Sequence, residues 1–339
     1  MNISKNKLNK LIILCDLATT LYELKPWNFL SDLDFIQILN PDIEPSLVLV
    51  LGSSKIYEGF NIGVGIDDTT AFLGNLSADK KESNFSRLRY HRNFTINYDK
   101  FDNLFKEEQD IIKACYNTIS NSKIYPSFYR NDYGFFPRFL LLKEIEILIK
   151  ICKRLIAIIN DVSTLPIKPD CDKGLYLINL YSEKSKKYET YVGPPFFDLF
   201  FNTPDFSLPH PQLPKNKTNN LTVEIDTIFL PFNIANQKTM PILSFLVDQK
   251  SGMVIHKKIE YLKTNREEEF AKFYLEVIEK FGYFKRVYCR SLLDQEILFN
   301  NFKENDYSKI EIKHLKWIDN FIDALMNREK EDITSEYIN

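Results

Sequence analysis

The stretches 221-LTVEIDTIFL-230 and 242-ILSFLVDQKSGMVIHKKIEY-261 determine the fold of the second half of the chain. Both are rich in β-branched and aromatic residues, which is typical of strands. They predict strands at Val223–Leu230, Ile242–Val247 and Met253–Tyr261. The residues between the last two strands, Asp248–Gly252, have the composition of a turn, so these two strands should pair as a hairpin.

Helices and strands alternate after this hairpin. Thr264 and Glu267 have the S/T-x-x-E spacing of a helix start, and the helix is predicted to end at about Phe281. The elements that follow are a strand at Arg286–Cys289, a helix at Leu292–Lys303, a strand at Ile310–Lys313 and a helix at Leu315–Met326. This order predicts a small α/β domain with a mixed sheet, and it is similar to the element order of ribonuclease-H-like domains.

The first half of the chain, residues 1–165, is predicted to be an α+β domain. An amphipathic helix at Lys5–Glu23 should end before Pro26, because proline cannot continue a helix. The predicted strands are Phe35–Leu39, Leu47–Leu51, Phe60–Val64 and Phe94–Tyr98, and the predicted helices are Thr69–Leu76, Asn103–Ile119 and Phe139–Ile159. Residues 166–220 are predicted to form a hairpin and a proline-rich connector, and residues 221–330 the α/β domain.

The charge balance argues against a surface built as a whole to bind polyphosphate. The 339 residues include 44 Lys plus Arg and 46 Asp plus Glu, which gives a formal net charge of −2. Nucleic-acid-binding domains usually carry an excess of basic residues. A local basic patch therefore remains the only electrostatic route to nucleic acid.

Cysteine usage and hydropathy indicate a protein of the cytoplasm. The five cysteines are far apart and contain no Cys-x-x-Cys pair, so neither a zinc site nor a redox motif is expected. A reducing compartment fits this pattern. The longest apolar segment, Phe139–Ile159, contains six charged residues, which excludes it from the hydrocarbon of a membrane.

Acidic residues of the second half raise the question of a two-metal nuclease. Ribonuclease-H-like domains hold two divalent cations between carboxylates of the first strand, the fourth strand and a late helix. Asp248 could supply the first carboxylate, Asp294 the second, and Asp319 or Asp323 the third, around Mg²⁺ or Mn²⁺. Each also has a structural explanation. Asp248 opens a turn, Asp294 has capping-box spacing to Ser291, and the other two should face solvent beside the apolar stripe of their helix. We therefore expect no bound metal or other cofactor.

Basic and aromatic residues are interleaved in two places. The first group contains Arg87, Arg89 and Arg92, and the second contains Arg130 and Arg138 among several tyrosines and phenylalanines. Aromatic rings beside guanidinium groups could stack unpaired bases, so these five arginines are candidates for weak nucleic-acid binding. The same composition suits half-buried segments with arginines at the rim, and the net charge favours this structural explanation.

Short motifs across most of the chain carry a family resemblance. They are Pro26-Trp27, Val50-Leu51-Gly52, Tyr57-Glu58-Gly59-Phe60, Pro126-x-Phe128-x-Arg130, Tyr133-Gly134, Val223-Glu224-Ile225-Asp226, Leu230-Pro231 and Val247-Asp248-Gln249-x-Ser251-Gly252. With them the chain resembles a family of two-part bacterial proteins in which both halves are domains of unknown function. The resemblance implies a tandem arrangement and a bacterial cytosolic protein, and it implies no catalytic residue.

Two functions from different classes follow. Two hydrophobic cores without a complete catalytic set predict a non-catalytic binding or scaffold protein with a protein or nucleic-acid partner and no membrane association. The alternative is a divalent-metal-dependent nuclease that uses the acidic residues of the carboxy-terminal domain. The ligand, the pathway and the oligomeric state are not predicted by the sequence.

Overall fold

The computed structural model describes residues 4–55, 57–77, 86–116, 118–120, 122–162, 165–196, 218–231, 238–263, 265–301 and 310–325. These residues form two compact units, each built around its own sheet. As far as they are described, the residues of the first unit come from Met1–Leu73, Arg92–Asp132 and Pro137–Asn202. Those of the second unit come from Gly74–His91, Tyr133–Phe136 and Thr203–Asn339.

The first unit contains a seven-stranded sheet. Its strands are β1 (Phe35–Asn40), β2 (Ile43–Leu51), β3 (Gly59–Val64), β4 (Asn93–Lys100), β5 (Ile124–Asn131), β6 (Tyr176–Ser182) and β7 (Lys187–Gly193). The helices in this part of the chain are α1 (Lys5–Leu24), α2 (Gly65–Ser77), α3 (Lys106–Cys115) and α4 (Leu142–Val162). The strand order is β5-β4-β3-β2-β1-β6-β7, and the neighbouring strands are antiparallel except for the parallel pair β1 and β6.

The core of the first unit lies between this sheet and the helices α1 and α4. Leu148, Leu155 and Ile159 repeat at helical spacing along α4 and are buried together with Leu14 of α1 and Ile36 of β1. Burial of each such side chain stabilises the fold by roughly 1.5–3 kcal/mol, so this cluster is the main stabilising element of the unit. No helix in the described part of the chain combines the length and the apolar composition that a membrane-spanning segment requires.

Two parts of the first unit differ from the sequence prediction. Residues Ile124–Asn131 form the edge strand β5, although the sequence did not predict a strand there. Pro126 breaks the strand pattern, and it is tolerated because an edge strand has one side without a ladder partner. The hairpin of β6 and β7 pairs with β1 and therefore belongs to the first sheet, not to the predicted connector. Residues 197–217 of that connector lie outside the described residues.

The second unit contains a five-stranded sheet with the order β10-β9-β8-β11-β12. Its elements are β8 (Thr218–Phe229), β9 (Pro241–Asp248), β10 (Val254–Tyr261), α5 (Arg266–Phe281), β11 (Tyr283–Cys289), α6 (Leu292–Asn301), β12 (Ile310–Ile312) and the helical residues 316–325, which we call α7. The strands β8, β9 and β10 are antiparallel, whereas β11 is parallel to β8 and β12 is parallel to β11. The structure confirms the α+β class, with one sheet in each half, and the element order predicted for the second half.

The second sheet is covered on both faces. On one face, Val223 and Ile225 of β8 pack with Phe270 of α5. On the other face, Ile228 of β8 and Phe245 of β9 share a cluster with residues of α7. This two-sided burial explains why β9 consists almost entirely of apolar residues.

The helix α7 is anchored to the turn between β9 and β10. The Glu224 carboxylate accepts hydrogen bonds from the backbone N–H groups of Trp317 (3.0 Å) and Ile318 (3.2 Å) at the start of the helix. The indole Nε1 of Trp317 donates to the carbonyl of Gln249 at 2.9 Å. Gly252 has a positive φ of 71°, and a Cβ atom there would lie 2.5 Å from the indole ring. Only glycine satisfies both the backbone and the contact.

We predict that Gly252→Ala lowers the free energy of unfolding by roughly 2–4 kcal/mol, because it combines backbone strain with a clash against the Trp317 ring. Urea denaturation followed by tryptophan fluorescence measures the change. Gly174→Ala is the matched control, since Gly174 has a similar φ of 68° but no atom within 4 Å of an added Cβ. Equal losses in the two variants would contradict the role of the Trp317 contact.

Candidate functional site

A buried group of three aspartates and three arginines lies in the second unit. We call it the arginine–aspartate cluster, and its members are Asp226, Asp294, Asp319, Arg89, Arg266 and Arg290. Their side chains are at most 6% exposed. Charged side chains are rarely buried to this extent unless they are paired, so the pairing within the group decides whether it is structural or chemical.

Arg266 connects the start of α5 to the sheet and to α6. Asn265 caps this helix through its side chain, which places Arg266 in the first turn, directed at the sheet. The guanidinium donates to Asp294 Oδ1 at 2.6 Å and to Asp226 Oδ1 at 3.0 Å, and its Nε donates to the Thr227 carbonyl at 2.8 Å. The two carboxylates thus share one cation.

Arg290, the residue after β11, makes the second connection. Its Nε donates to Asp226 Oδ2 at 2.7 Å, and Nη1 donates to Asp319 Oδ2 of α7 at 3.0 Å. Nη1 of Arg89, in the 3₁₀ turn Ser86–Tyr90, lies 3.6 Å from Asp226 Oδ1. The hydroxyl of Ser86, in the same turn, donates to Asp319 at 3.1 Å. Both oxygens of Asp226 therefore face guanidinium groups.

The electrostatics of the cluster keep it ionised. Burial alone would raise the pKa of the Asp226 carboxyl, but the three guanidinium groups outweigh this effect and lower the pKa below its ordinary value. Burial likewise disfavours the charged form of Arg266, and the attraction of Asp294 and Asp226 overcomes it and raises the pKa of the guanidinium. The formal charges of the six side chains cancel, so the cluster is a compensated ion network.

Glu267 lies beside the cluster at the start of α5 and is 8% exposed. Burial raises the pKa of its carboxyl, and the opposing attraction of Arg266 is too small to restore the ordinary value. The fold therefore disfavours the charged form of Glu267.

The cluster is arranged for ion pairing and not for metal coordination. Carboxylate oxygens that would face a cation already accept charge-assisted hydrogen bonds from Arg266 and Arg290. Among the residues that the structure describes, there is no group of three or more His, Cys, Asp or Glu side chains placed to hold a metal ion.

The structure places the four predicted aspartates in two kinds of environment. Asp248 is the last residue of β9 and accepts hydrogen bonds from the hydroxyl and the backbone N–H of Ser251 in the exposed turn that follows, which lower the pKa of its carboxyl. Asp323 is exposed on α7. Asp294 and Asp319 both lie in the cluster, where Asp294 also bonds the Ser291 hydroxyl at 2.8 Å, as its capping-box spacing predicted.

Two expectations about this region need correction. Asp319 was expected to face solvent, but it is 4% exposed because Arg290 and Ser86 cover that side of α7. The carboxylate of the first strand is Asp226 and not Asp248. Asp226 lies in β8, which is the first strand of the second sheet in chain order and its central strand, whereas Asp248 ends β9. The two acidic residues of the motif Val223-Glu224-Ile225-Asp226 alternate with apolar residues of the strand. This alternation is the sequence signal that could have identified Asp226.

The arginines proposed for nucleic-acid binding are mostly engaged with carboxylates. In the first unit, Arg130 forms a buried pair with Asp68, and Arg92 also bonds this carboxylate at 2.9 Å. Arg138 binds Glu144 at 2.8 Å. Burial would raise the pKa of that carboxyl, but the hydrogen bonds from Arg138 and from a backbone N–H outweigh it and lower the pKa below its ordinary value. In the second unit, Arg89 belongs to the cluster, and Arg87 is half-buried. This placement favours the structural explanation of both groups.

Comparison with known families agrees with this two-part architecture. The chain matches two family models, Domain of unknown function (DUF7309) over residues 13–178 and Domain of unknown function (DUF6930) over residues 211–326. It therefore belongs to a two-part family in which both halves are domains of unknown function, as the resemblance of the short motifs predicted. No curated protein and no solved structure matches the chain.

The cluster predicts a large cost for removing one cation from it. Arg266→Met should lower the free energy of unfolding by about 3–5 kcal/mol, because Asp294 would remain buried without its arginine. The double variant Arg266→Met with Asp294→Asn should lose less than the sum of the two single variants, since the unpaired charge is then absent. Urea denaturation of the four proteins at neutral pH provides the comparison.

Lys272→Met is the control for this experiment. Lys272 lies on the same helix and bonds Glu268 at 2.8 Å, but its side chain is 41% exposed, so its removal should cost less than about 1 kcal/mol. A similar loss from Arg266→Met and Lys272→Met would contradict the structural role of the cluster.

Glu267→Gln should show the opposite dependence on pH from an ordinary paired carboxylate. Because the pKa of Glu267 is raised above 4.5 in the folded state, the wild-type protein loses stability as the pH rises through and above that value. The glutamine variant lacks this loss. Its free energy of unfolding relative to wild type should therefore increase from about pH 4 to about pH 7. A difference that is constant or decreases over this range would contradict the assignment.

Proposed function

We propose that the protein is a non-catalytic binding protein of the bacterial cytoplasm. In this proposal the carboxy-terminal domain is ribonuclease-H-like, and arginine–aspartate ion pairs replace the metal centre of a nuclease. The observation that carries the proposal is the position of Arg266 and Arg290, whose guanidinium groups lie between Asp226, Asp294 and Asp319.

The topology of the second unit supports the ribonuclease-H-like assignment. Three antiparallel strands come first in the chain. The fourth strand is then added parallel to the first, and the fifth parallel to the fourth, with helices α5 and α6 in the connections. The clustered carboxylates come from the first strand (Asp226), from the segment after the fourth strand (Asp294) and from the late helix (Asp319). These are the three elements from which a nuclease of this fold takes its metal ligands.

The guanidinium groups support a binding function over a catalytic one. Mg²⁺ requires near-octahedral oxygen ligands and usually retains several waters. A divalent cation near Asp226 would also lie beside three positive guanidinium groups, which would repel it in a region of low dielectric constant. Metal binding would therefore require the displacement of side chains that are already paired.

The convergence of the three aspartates is the observation that favours the alternative, a nuclease that depends on Mg²⁺ or Mn²⁺. In that case Arg266 and Arg290 would have to leave the carboxylates when the cations bind. For the binding proposal, the engagement of Arg92, Arg130 and Arg138 with carboxylates favours a protein partner over a nucleic acid.

A nuclease assay distinguishes the two functions. The purified full-length chain is incubated with Mg²⁺ or Mn²⁺ and with single- and double-stranded DNA and RNA, and the products are resolved on denaturing gels. We expect no metal-dependent cleavage. Cleavage that is lost in Asp226→Asn but retained in Asp248→Asn would overturn the proposal, because Asp248 lies at the end of β9, outside the cluster.

Fluorescence anisotropy with labelled oligonucleotides tests the class of partner. Phosphate contacts release counterions, so binding to nucleic acid weakens steeply as the salt concentration rises. We expect no salt-dependent binding of single-stranded DNA or RNA. Tight binding with a steep salt dependence would contradict a protein partner and would identify a nucleic acid in its place.

A further inference from the structure

Two cysteines of the first unit lie close together between α1 and α3. Cys15 is 1% exposed in the core, and Cys115 is the last residue of α3 and is partly exposed. The next residue, Tyr116, fixes the end of α3 against α1. Its hydroxyl lies 2.9 Å from Thr19 Oγ1 and donates to the Cys15 carbonyl at 3.4 Å.

The surrounding side chains show that the same faces of the two helices adjoin. Leu11 and Ile111 line one apolar pocket, and they precede Cys15 and Cys115 by four residues, or about one helical turn. Cys115 itself packs against the core cluster that contains Cys15. The side chains of Cys15 and Cys115 therefore adjoin at the contact between α1 and α3.

The interaction between the two side chains makes the two thiols chemically different. It raises the pKa of Cys15, and burial raises that pKa further. It lowers the pKa of Cys115, although partial burial opposes the effect. Cys115 is thus the better nucleophile and the more accessible sulfur, while Cys15 is held as a protonated thiol beside it.

Cys152 in the same core provides a contrast. It is fully buried in α4, and burial raises the pKa of its thiol to about 12. A thiol in such an environment is inert toward oxidants because almost none of it is deprotonated at neutral pH.

We propose that Cys15 and Cys115 are a redox-modification site that forms an intramolecular disulfide with a hydroperoxide as the oxidant. The Cys115 thiolate attacks the terminal peroxide oxygen, which breaks the O–O bond and gives a sulfenic acid and an alcohol or water. The Cys15 sulfur then attacks the sulfur of the sulfenic acid and forms the S–S bond. The S–O bond breaks, and the hydroxyl leaves as water after it takes up the proton of the Cys15 thiol. Two thiols are oxidised and one peroxide is reduced. In a reducing compartment the pair rests as two thiols and is oxidised when peroxide appears.

The disulfide would tether α1 to α3 and close a long loop that contains strands β1 to β4. A bond of this kind restricts the unfolded chain, so the oxidised first unit should be more resistant to denaturation than the reduced one. The proposal concerns the first unit and does not depend on the function proposed for the second unit.

Mass spectrometry of the full-length chain after treatment with hydrogen peroxide tests the proposal. We expect the intact mass to decrease by two hydrogen masses, a peptide pair joined through Cys15 and Cys115 after non-reducing digestion, and full reversal by dithiothreitol. The midpoint of urea denaturation should shift upward on oxidation and return on reduction.

Variants identify the sulfurs involved. Cys15→Ala and Cys115→Ser should each abolish the mass decrease, whereas Cys152→Ala should retain it. Cys115→Ser removes the more accessible thiol of the pair, so Cys15 should resist oxidation in this variant. Cys15→Ala should stop at the sulfenic acid of Cys115, which a dimedone probe detects. Three results on the wild-type chain would overturn the proposal: no change in mass, over-oxidation of Cys115 with Cys15 still free, or a disulfide between two chains.

Discussion

The second unit depends on the ion pairs that Arg266 and Arg290 make with buried aspartates. These pairs connect β8, the start of α5, the segment after β11, α6 and α7, so five parts of the second unit meet at one point. A buried charge without a partner costs several kcal/mol, and the six side chains of the cluster therefore require one another. The helices and strands that carry these side chains can therefore pack together only when all the charges of the cluster are paired.

The same network connects the fold to the proposed function. Carboxylates that converge from a first strand, a later strand end and a late helix are a common way to hold catalytic cations. Here planar guanidinium groups, each able to bond two carboxylates at once, lie between them. The arrangement thus joins the charged side chains to one another as internal partners within the second unit.

Local patterns in the sequence predicted the fold better than they predicted the cluster. The turn Asp248–Gly252 and the apolar strands around it are neighbours in the chain, so the hairpin and the alternation after it were predictable. Asp319 was placed on the solvent side because its helix has an apolar stripe next to it. Arg290, 29 residues earlier, and Ser86, 233 residues earlier, cover that side. Arg130 is likewise paired with Asp68, 62 residues away. Such long-range pairings leave no periodic signal in one sequence.

The most direct test of this account is anomalous diffraction from a crystal of the full-length chain soaked in Mn²⁺. We predict no manganese peak between Asp226, Asp294 and Asp319, and guanidinium density for Arg266 and Arg290 in hydrogen-bonding contact with these carboxylates. A strong anomalous peak bonded to carboxylate oxygens from at least two of these aspartates, with the arginines displaced, would contradict it.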